Sequence, residues 1–548
     1  MRMRLLIAFG FAAVSAVAWP VQVARPFQGR DRGAESPAPP ESPAPPEGPA
    51  PQEGPAPQEI DKIFAKWNSP TTPGCAVGAA VDGTPVLAKG YGMADLEHDV
   101  RITPDSILEA GSVSKQFTAA AILLLAREGK LSIDDPVRKY LPELPDYGSP
   151  LTIRHMLNHT SGLRDWGSVE SIAGWPRGTR TYTHAHVLEI VSHQKAVNFT
   201  PGTKWSYSNT GYNLAAIIVS RVSGVPFAEF TRQRLFEPLG MTHTSWRDDF
   251  TRILRSRAMA YSDRGGEFHT SMPFENVHGN GGLLTTVGDL LKWNENFTSP
   301  KVGDAAFVAL QQQRGKFSDG RTHHYAFGLT IDAVNGVRIV EHSGSTAGYS
   351  AHLMRMPDRK ISVAVLCNAT TARATQYAHE VADLYLPGRA STLRAGTREI
   401  AAPDGTVYRS VDNGTLLPGA IPSGITSTID GARLRLVDDL GLESLFERVP
   451  KAAPGTADLR QLAGVYTSDE AETTLTVALE GDALAIKRRP DSVFKLRPLY
   501  ADAFDAPQLG TVIFRRDDGG RITALSVVQD RVWDLRFARQ GLGTRSSQ

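Results

Sequence analysis

The stretch Gln116 to Ala126, QFTAAAILLLA, is apolar on every face of the helix its composition predicts, and such a helix is stable only inside a large core. Whatever stands at its start is therefore desolvated and faces the positive end of the helix dipole. What stands there is Ser112-Val113-Ser114-Lys115. Residues i and i+3 share a helix face, so Lys115 is placed to exchange a proton with Ser112. The dipole favours negative charge on the serine, and desolvation disfavours a protonated lysine. Alone, the tetrad is a weak signal. Ser192-His193-Gln194-Lys195 and Ser492-Val493-Phe494-Lys495 have the same form without opening an apolar helix, and a serine before a core helix is more often an N-cap.

The 548 residues exceed what one core usually serves, and 59 Lys+Arg against 58 Asp+Glu leave a net charge of +1, which provides no field for gathering nucleic acid. A basic start (Arg2, Arg4), the apolar run Leu5 to Trp19 and Ala16-Val17-Ala18 predict a cleaved secretory signal over 1–18, hence a periplasmic or secreted protein, or a membrane-tethered one if the signal is retained. Residues 19–58 follow as a Pro-rich spacer in which Glu35, Glu41, Glu47, Glu53 and Glu59 recur every six residues. Residues 59–392 are expected to form an α/β unit. Strand patterns at Cys75 to Val81, Pro85 to Lys89, Gly336 to Glu341 and Ala351 to Cys367 bracket helical patterns at Leu188 to Val191, Tyr212 to Ser223 and Val287 to Asn296. Residues 393–548 alternate as short strands with turns at Asp430-Gly431, Gly481-Asp482 and Asp518-Gly519, and predict a separate barrel-like β domain. Cys75 and Cys367 are either one disulfide or two buried thiols.

Two further groups carry possible chemistry. Tyr207-Ser208-Asn209 is the only Tyr-x-Asn in the chain. Its phenol relays a proton if nearby cations lower its pKa from about 10, and Asn209 can hydrogen-bond both substrate and Lys115; a capping turn is the plainer reading. His342-Ser343-Gly344-Ser345 follows the strand-like Val337 to Glu341, where a small residue on an edge lets substrate lie along the backbone and receive the Ser345 N–H. No metal site is expected, since His184-Ala185-His186 is not completed and His323-His324 reads as a solvated pair; nothing calls for a cofactor.

In this order and spacing the three groups resemble the class C β-lactamase, penicillin-binding protein and D-aminopeptidase superfamily. Leu151 to Leu163 and Gly281 to Thr286 are similar to stretches common there, and the likeness covers Ile60 to Gly388. The resemblance implies the penicillin-recognising fold, an antiparallel sheet flanked by helices plus an all-helical region, followed by the smaller β domain. It also implies an acyl-enzyme route. Ser112 attacks a carbonyl, the N–H groups of Ser112 and Ser345 hold the oxyanion, Lys115 and Tyr207 move the proton, and Asn209, His342 and Gly344 line the substrate. Members built around β-lactams usually carry Lys where this chain has His342, which is mostly neutral at pH 7. That departure favours D-amino-acid peptides, in D-aminopeptidase-like or D-Ala-D-Ala carboxypeptidase-like fashion, or small esters. A class C-like β-lactamase and a non-catalytic sensor of penicillin or peptidoglycan fragments are the alternatives. The sequence leaves the oligomeric state open.

Overall fold

Strand β1 (Cys75–Val81) is buried along all but its last residue, as a strand covered on both faces must be. It turns through Asp82 and Gly83, both at positive φ, into β2 (Thr84–Tyr91). The computed structural model describes residues 55–389, 391–392, 397–422, 425–438 and 441–541. The expected signal and the spacer up to residue 54 lie outside the described residues, and the end of the spacer is already helical from Pro57.

The sheet is completed by β3 (Thr330–Val334), β4 (Val337–Thr346), β5 (Tyr349–Met356) and β6 (Ile361–Cys367), in the order β3-β4-β5-β6-β1-β2 with every pair antiparallel. Strands from both ends of the unit thus share one sheet. Two bounds differ from the sequence reading. β4 runs on to Thr346, and the run Ala351 to Cys367 is two strands, because Pro357 starts a turn that Lys360 closes at φ 53°.

Alternation along β1 divides the core. Ala76 and Ala80 face a cluster containing Val287 and Leu290, whereas Val77 and Ala79 face one containing Ala378 and Val381. Five helices matter for the site: α1 (Lys115–Arg127), α2 (Trp166–Ala173), α3 (Asn209–Ser223), α4 (Val287–Glu295) and α5 (Ala374–Leu384). α4 and α5 cover the two sheet faces, and α1 packs on α3 with every residue from Lys115 to Leu125 buried.

Among the described residues after α5, the regular elements are strands apart from short helices such as Thr456–Leu462. Strands 406–410, 443–450, 433–437 and 426–430 form a four-stranded sheet. Nine more from Gly464 to Arg539 form a sheet whose end strands, Ser492–Lys495 and Arg497–Tyr500, adjoin in sequence, so it is nearly closed as a barrel. The hairpins predicted at Thr473 to Lys487 and Thr511 to Val528 are present. The sequence suggests a single barrel after residue 392; the structure puts the four-stranded sheet ahead of it.

Cys75 and Cys367 face each other in the β1/β6 register and are disulfide-bonded, closing a separation of 292 residues. Changing both to serine is expected to cost about 2–4 kcal/mol, mainly through the freed unfolded chain, and to lower the urea midpoint; an unchanged midpoint would show that the sheet pairing alone holds the two ends.

Candidate active site

Ser112 lies in a single 3-10 turn, Gly111–Ser114, immediately before α1, and does not cap the helix; Ser114 holds the N-cap position. The Ser114 hydroxyl donates to the Gly111 carbonyl at 2.5 Å and accepts from the Leu283 N–H at 3.1 Å, which fixes the turn. Lys115 is fully buried. Its Nζ is 3.0 Å from Ser112 Oγ, 2.9 Å from Asn209 Oδ1 and 2.7 Å from the Asn280 carbonyl oxygen. Burial pushes the amine well below its ordinary value, with the charge of Arg531 acting the same way. Both carbonyl oxygens can only accept, so a neutral amine spends its two N–H bonds on them and turns its lone pair to Ser112.

Tyr207 lines the same cavity wall as Ser112, and Lys115 Nζ lies 4.8 Å from its ring centroid. The expected lowering of its pKa is not what the structure gives. Burial raises it, outweighing the Ser112 hydroxyl and the Arg531 guanidinium stacked 4.8 Å from the ring, so the phenol stays protonated. Asn209 opens α3; its N–H donates to Asp165 Oδ2 at 2.8 Å, and its side chain reaches Lys115.

The third group arrives on β4. β3 pairs only with Val337 to Glu341, so the outer edge of β4 is open from His342 onward. Gly344 is obligatory. A Cβ there would lie 2.0 Å from the Ala110 carbonyl oxygen and 2.9 Å from Ser112 N, and one on Gly111, at φ 50°, would lie 2.6 Å from Ser345 N. This approach brings the Ser112 and Ser345 backbones together. His342 is buried and fully engaged. Its Nδ1–H donates to the Ser343 carbonyl at 2.6 Å, which leaves Nε2 to accept from the Tyr325 hydroxyl at 2.8 Å. Burial lowers its pKa to about 3, so the ring is neutral and has no N–H left for a substrate.

All seven sequence candidates meet here, six of them, together with Asn280 and Gly281, around a cavity of about 500 Å³ whose wall includes Ser112, Tyr207, Asn209, His342, Gly344 and Ser345, with Lys115 beneath. The rival tetrads do not form such a site: Lys195 pairs with Asp469, and Ser492 and Lys495 lie along a strand. Sequence reasoning missed Asn280, Arg177 and Arg531. A backbone carbonyl acting as a lysine clamp has no side-chain signature, and Asp530-Arg531 is not a turn pair that stands out. It also misplaced His323 and His324, which are buried near Phe317 and Trp205 rather than solvated. Glu341, His352 and His379, gathered from β4, β5 and α5, set one ligand atom each within 4.8 Å of one another. They form a hydrogen-bonded network, His352 Nε2 at 3.2 Å and His379 Nε2 at 3.0 Å from Glu341 Oε2; burial opposes ionisation of Glu341, but these contacts hold its carboxyl well below the usual range.

A serine hydroxyl with a desolvated amine against it, in a helical body packed on an antiparallel sheet, defines a serine hydrolase of the penicillin-recognising kind. Residues 60–386 match the Beta-lactamase family, and the chain belongs to that family. Penicillin-binding protein 4* of Bacillus subtilis is 27% identical over 389 residues, 67% of this chain and 84% of that protein. D-aminopeptidase of Brucella anthropi is 25% identical over 504 residues, 83% and 93% of the two chains. The octameric penicillin-binding protein homologue from Pyrococcus abyssi has the same fold, with TM-score 0.54 and 24% identity over 88% of this chain and 98% of that one. Its coverage runs past residue 386, so the likeness includes the terminal strands.

Gly344→Ala is expected to push β4 away from the Ser112 turn and slow labelling of the protein by a fluorophosphonate on the order of 10²-fold, with circular dichroism unchanged; labelling at the wild-type rate would mean that the two backbones need not touch.

Proposed function

We propose that Ser112 opens amide or ester bonds through an acyl-enzyme, and the observation that carries this reading is the Lys115 amine, 3.0 Å from Ser112 Oγ with its N–H bonds committed elsewhere. The Ser112 oxygen attacks the substrate carbonyl carbon while its proton passes to Lys115 Nζ. The oxyanion sits between the N–H groups of Ser112 and Ser345. Tyr207, protonated at rest, gives its proton to the leaving nitrogen or oxygen as the bond to the acyl carbon breaks, and recovers one from Lys115. Water then adds to the ester, the acid leaves, and Ser112 regains its proton.

Small peptides containing D-amino acids, or small esters, are the substrates this reading favours. The relatives named for D-aminopeptidase and penicillin binding support the choice. The engaged, neutral His342 is not itself a charge that could hold a substrate carboxylate. We place the protein outside the cytoplasm, which its apolar N-terminal run and its disulfide support, where peptidoglycan fragments are within reach. Residues 59–392 carry the chemistry, and the strand region that follows contributes Arg531 to the mouth of the site.

Ser112→Ala is expected to abolish labelling by a fluorescent penicillin or fluorophosphonate together with p-nitrophenyl acetate turnover; labelling at full level would place the nucleophile elsewhere. Lys115→Met should lower acylation by roughly 10²–10⁴-fold. The pH dependence follows from the sign of the lysine shift. Because the neutral amine is the working form and its pKa is depressed, acylation should climb with pH through that lowered value and level off far below 10.5. A stopped-flow profile still climbing near pH 10.5 would mean that the resting amine is protonated.

A further inference from the structure

The cavity wall carries two arginines, Arg177 and Arg531, the neutral His342, and no Asp or Glu among the described residues. Arg177 is already neutralised. It holds Glu275 through two contacts, Nε to Oε2 at 3.0 Å and Nη2 to Oε1, and Glu275 also lies 3.7 Å from Arg247, which is itself paired with buried Glu109 at 2.9 and 3.1 Å. These charges alternate from core to rim and cancel. Arg531 stands outside that chain. Among the described residues its guanidinium has no hydrogen-bond partner, and the carboxylate in ion-pair range is its neighbour Asp530, 4.0 Å away with a side chain 97% exposed. Its charge lies over the Tyr207 ring, 4.8 Å from the centroid, beside the group that protonates the leaving atom.

Arg531 is held in place from behind. It forms a two-residue turn with Asp530 between strands Ile522–Gln529 and Val532–Arg539, and its carbonyl accepts from Asp165 N at 3.3 Å and Asn198 Nδ2 at 3.1 Å. Asn198 Oδ1 accepts from Trp533 N at 3.0 Å, Trp533 packs on Phe199, and buried Arg164 donates to the Asp534 carbonyl at 2.5 Å. The backbone is thus docked while the guanidinium is left to the cavity.

We propose that Arg531 is the anion anchor of this site, and that the substrate bears a carboxylate on the leaving-group side of the bond that is cut, as a peptide with a free carboxyl terminus does. This rests on the acyl-enzyme reading above. A guanidinium fork matches a carboxylate with two parallel hydrogen bonds, and Arg531 is the cation on this wall with its donors free. A substrate presenting a free ammonium would instead meet a charge of its own sign with no carboxylate on the wall to hold it. The site therefore selects an acidic leaving group over a free amino terminus.

The test uses the full-length protein and a matched pair, N-acetyl-D-alanyl-D-alanine and its C-terminal amide, with D-alanine p-nitroanilide as the free-amine probe. Wild type is expected to favour the acid over the amide in kcat/KM by about tenfold or more, expressed mainly in KM. Arg531→Ala should bring that ratio close to one, Arg531→Lys should retain part of it, and Arg531→Glu should reverse it. A wild-type preference for the amide or for the free-amine probe overturns the proposal, and so does an acid-to-amide ratio unchanged in Arg531→Ala. If Arg531→Ala does not fold, the wild-type ratio alone decides. Failure to cut either peptide while p-nitrophenyl acetate is turned over by wild type and not by Ser112→Ala overturns the anchor and leaves the acyl-enzyme standing; loss of that Ser112-dependent ester turnover overturns the acyl-enzyme itself.

Discussion

The site depends on one constraint, that α1 is buried from its first residue. A helix apolar on all sides contributes most when nothing along it reaches water, and Lys115 is its opening residue. An ammonium held there would forfeit several kcal/mol of hydration, so burial favours the neutral amine, the form that acts as a base for Ser112. The partners fit that state, two carbonyl acceptors for two N–H bonds and one hydroxyl for the lone pair. A second layer holds the acceptors still. Trp166 Nε1 donates to Asn213 Oδ1 at 2.9 Å, and Asn213 Nδ2 donates to Asn280 Oδ1 at 2.7 Å, so α2, α3 and the Asn280 loop move as one with the lysine.

The sheet supplies what the helices cannot, a straight backbone with unpaired N–H groups. β3 stops opposite Glu341, and from His342 the edge of β4 is free just where Gly344 lets it touch the Ser112 turn. A substrate laid along that edge meets the Ser345 N–H and the Ser112 hydroxyl together. His342 stiffens the strand rather than binding charge, since Ser343 and Tyr325 take both of its nitrogens.

Most of this framework was legible in the sequence because it depends on local spacing. Ser112 and Lys115 are one helical turn apart, Tyr207 and Asn209 lie two residues apart at the start of α3, and His342 to Ser345 continue one strand, so a misjudged strand end did not displace them. What could not be read depends on packing. The direction of the Tyr207 shift is set by the rings of His159, Trp205 and His342 near it and by how little water reaches the phenol, not by the cations alone. The burial of His323 and His324, the grouping of Glu341 with His352 and His379, and the Asn280 clamp each need elements far apart in the chain. The two cysteines were left undecided for the same reason, since only the antiparallel register of β1 with β6 sets them opposite each other.

Arg531 shows how the terminal β region and the helical core divide the work. The core keeps its reactive groups neutral, so a fixed charge has to come from outside it, and a hairpin tip clamped by Asp165 and Asn198 delivers one without burying it. After burial, Arg531 is the strongest influence lowering the pKa of Lys115. If a carboxylate is seated on Arg531 as proposed, it cancels that field and makes Lys115 more basic while the substrate is bound. Asp165 links the two regions, its N–H holding the hairpin while its carboxylate holds the N–H of Asn209, the residue that grips the lysine.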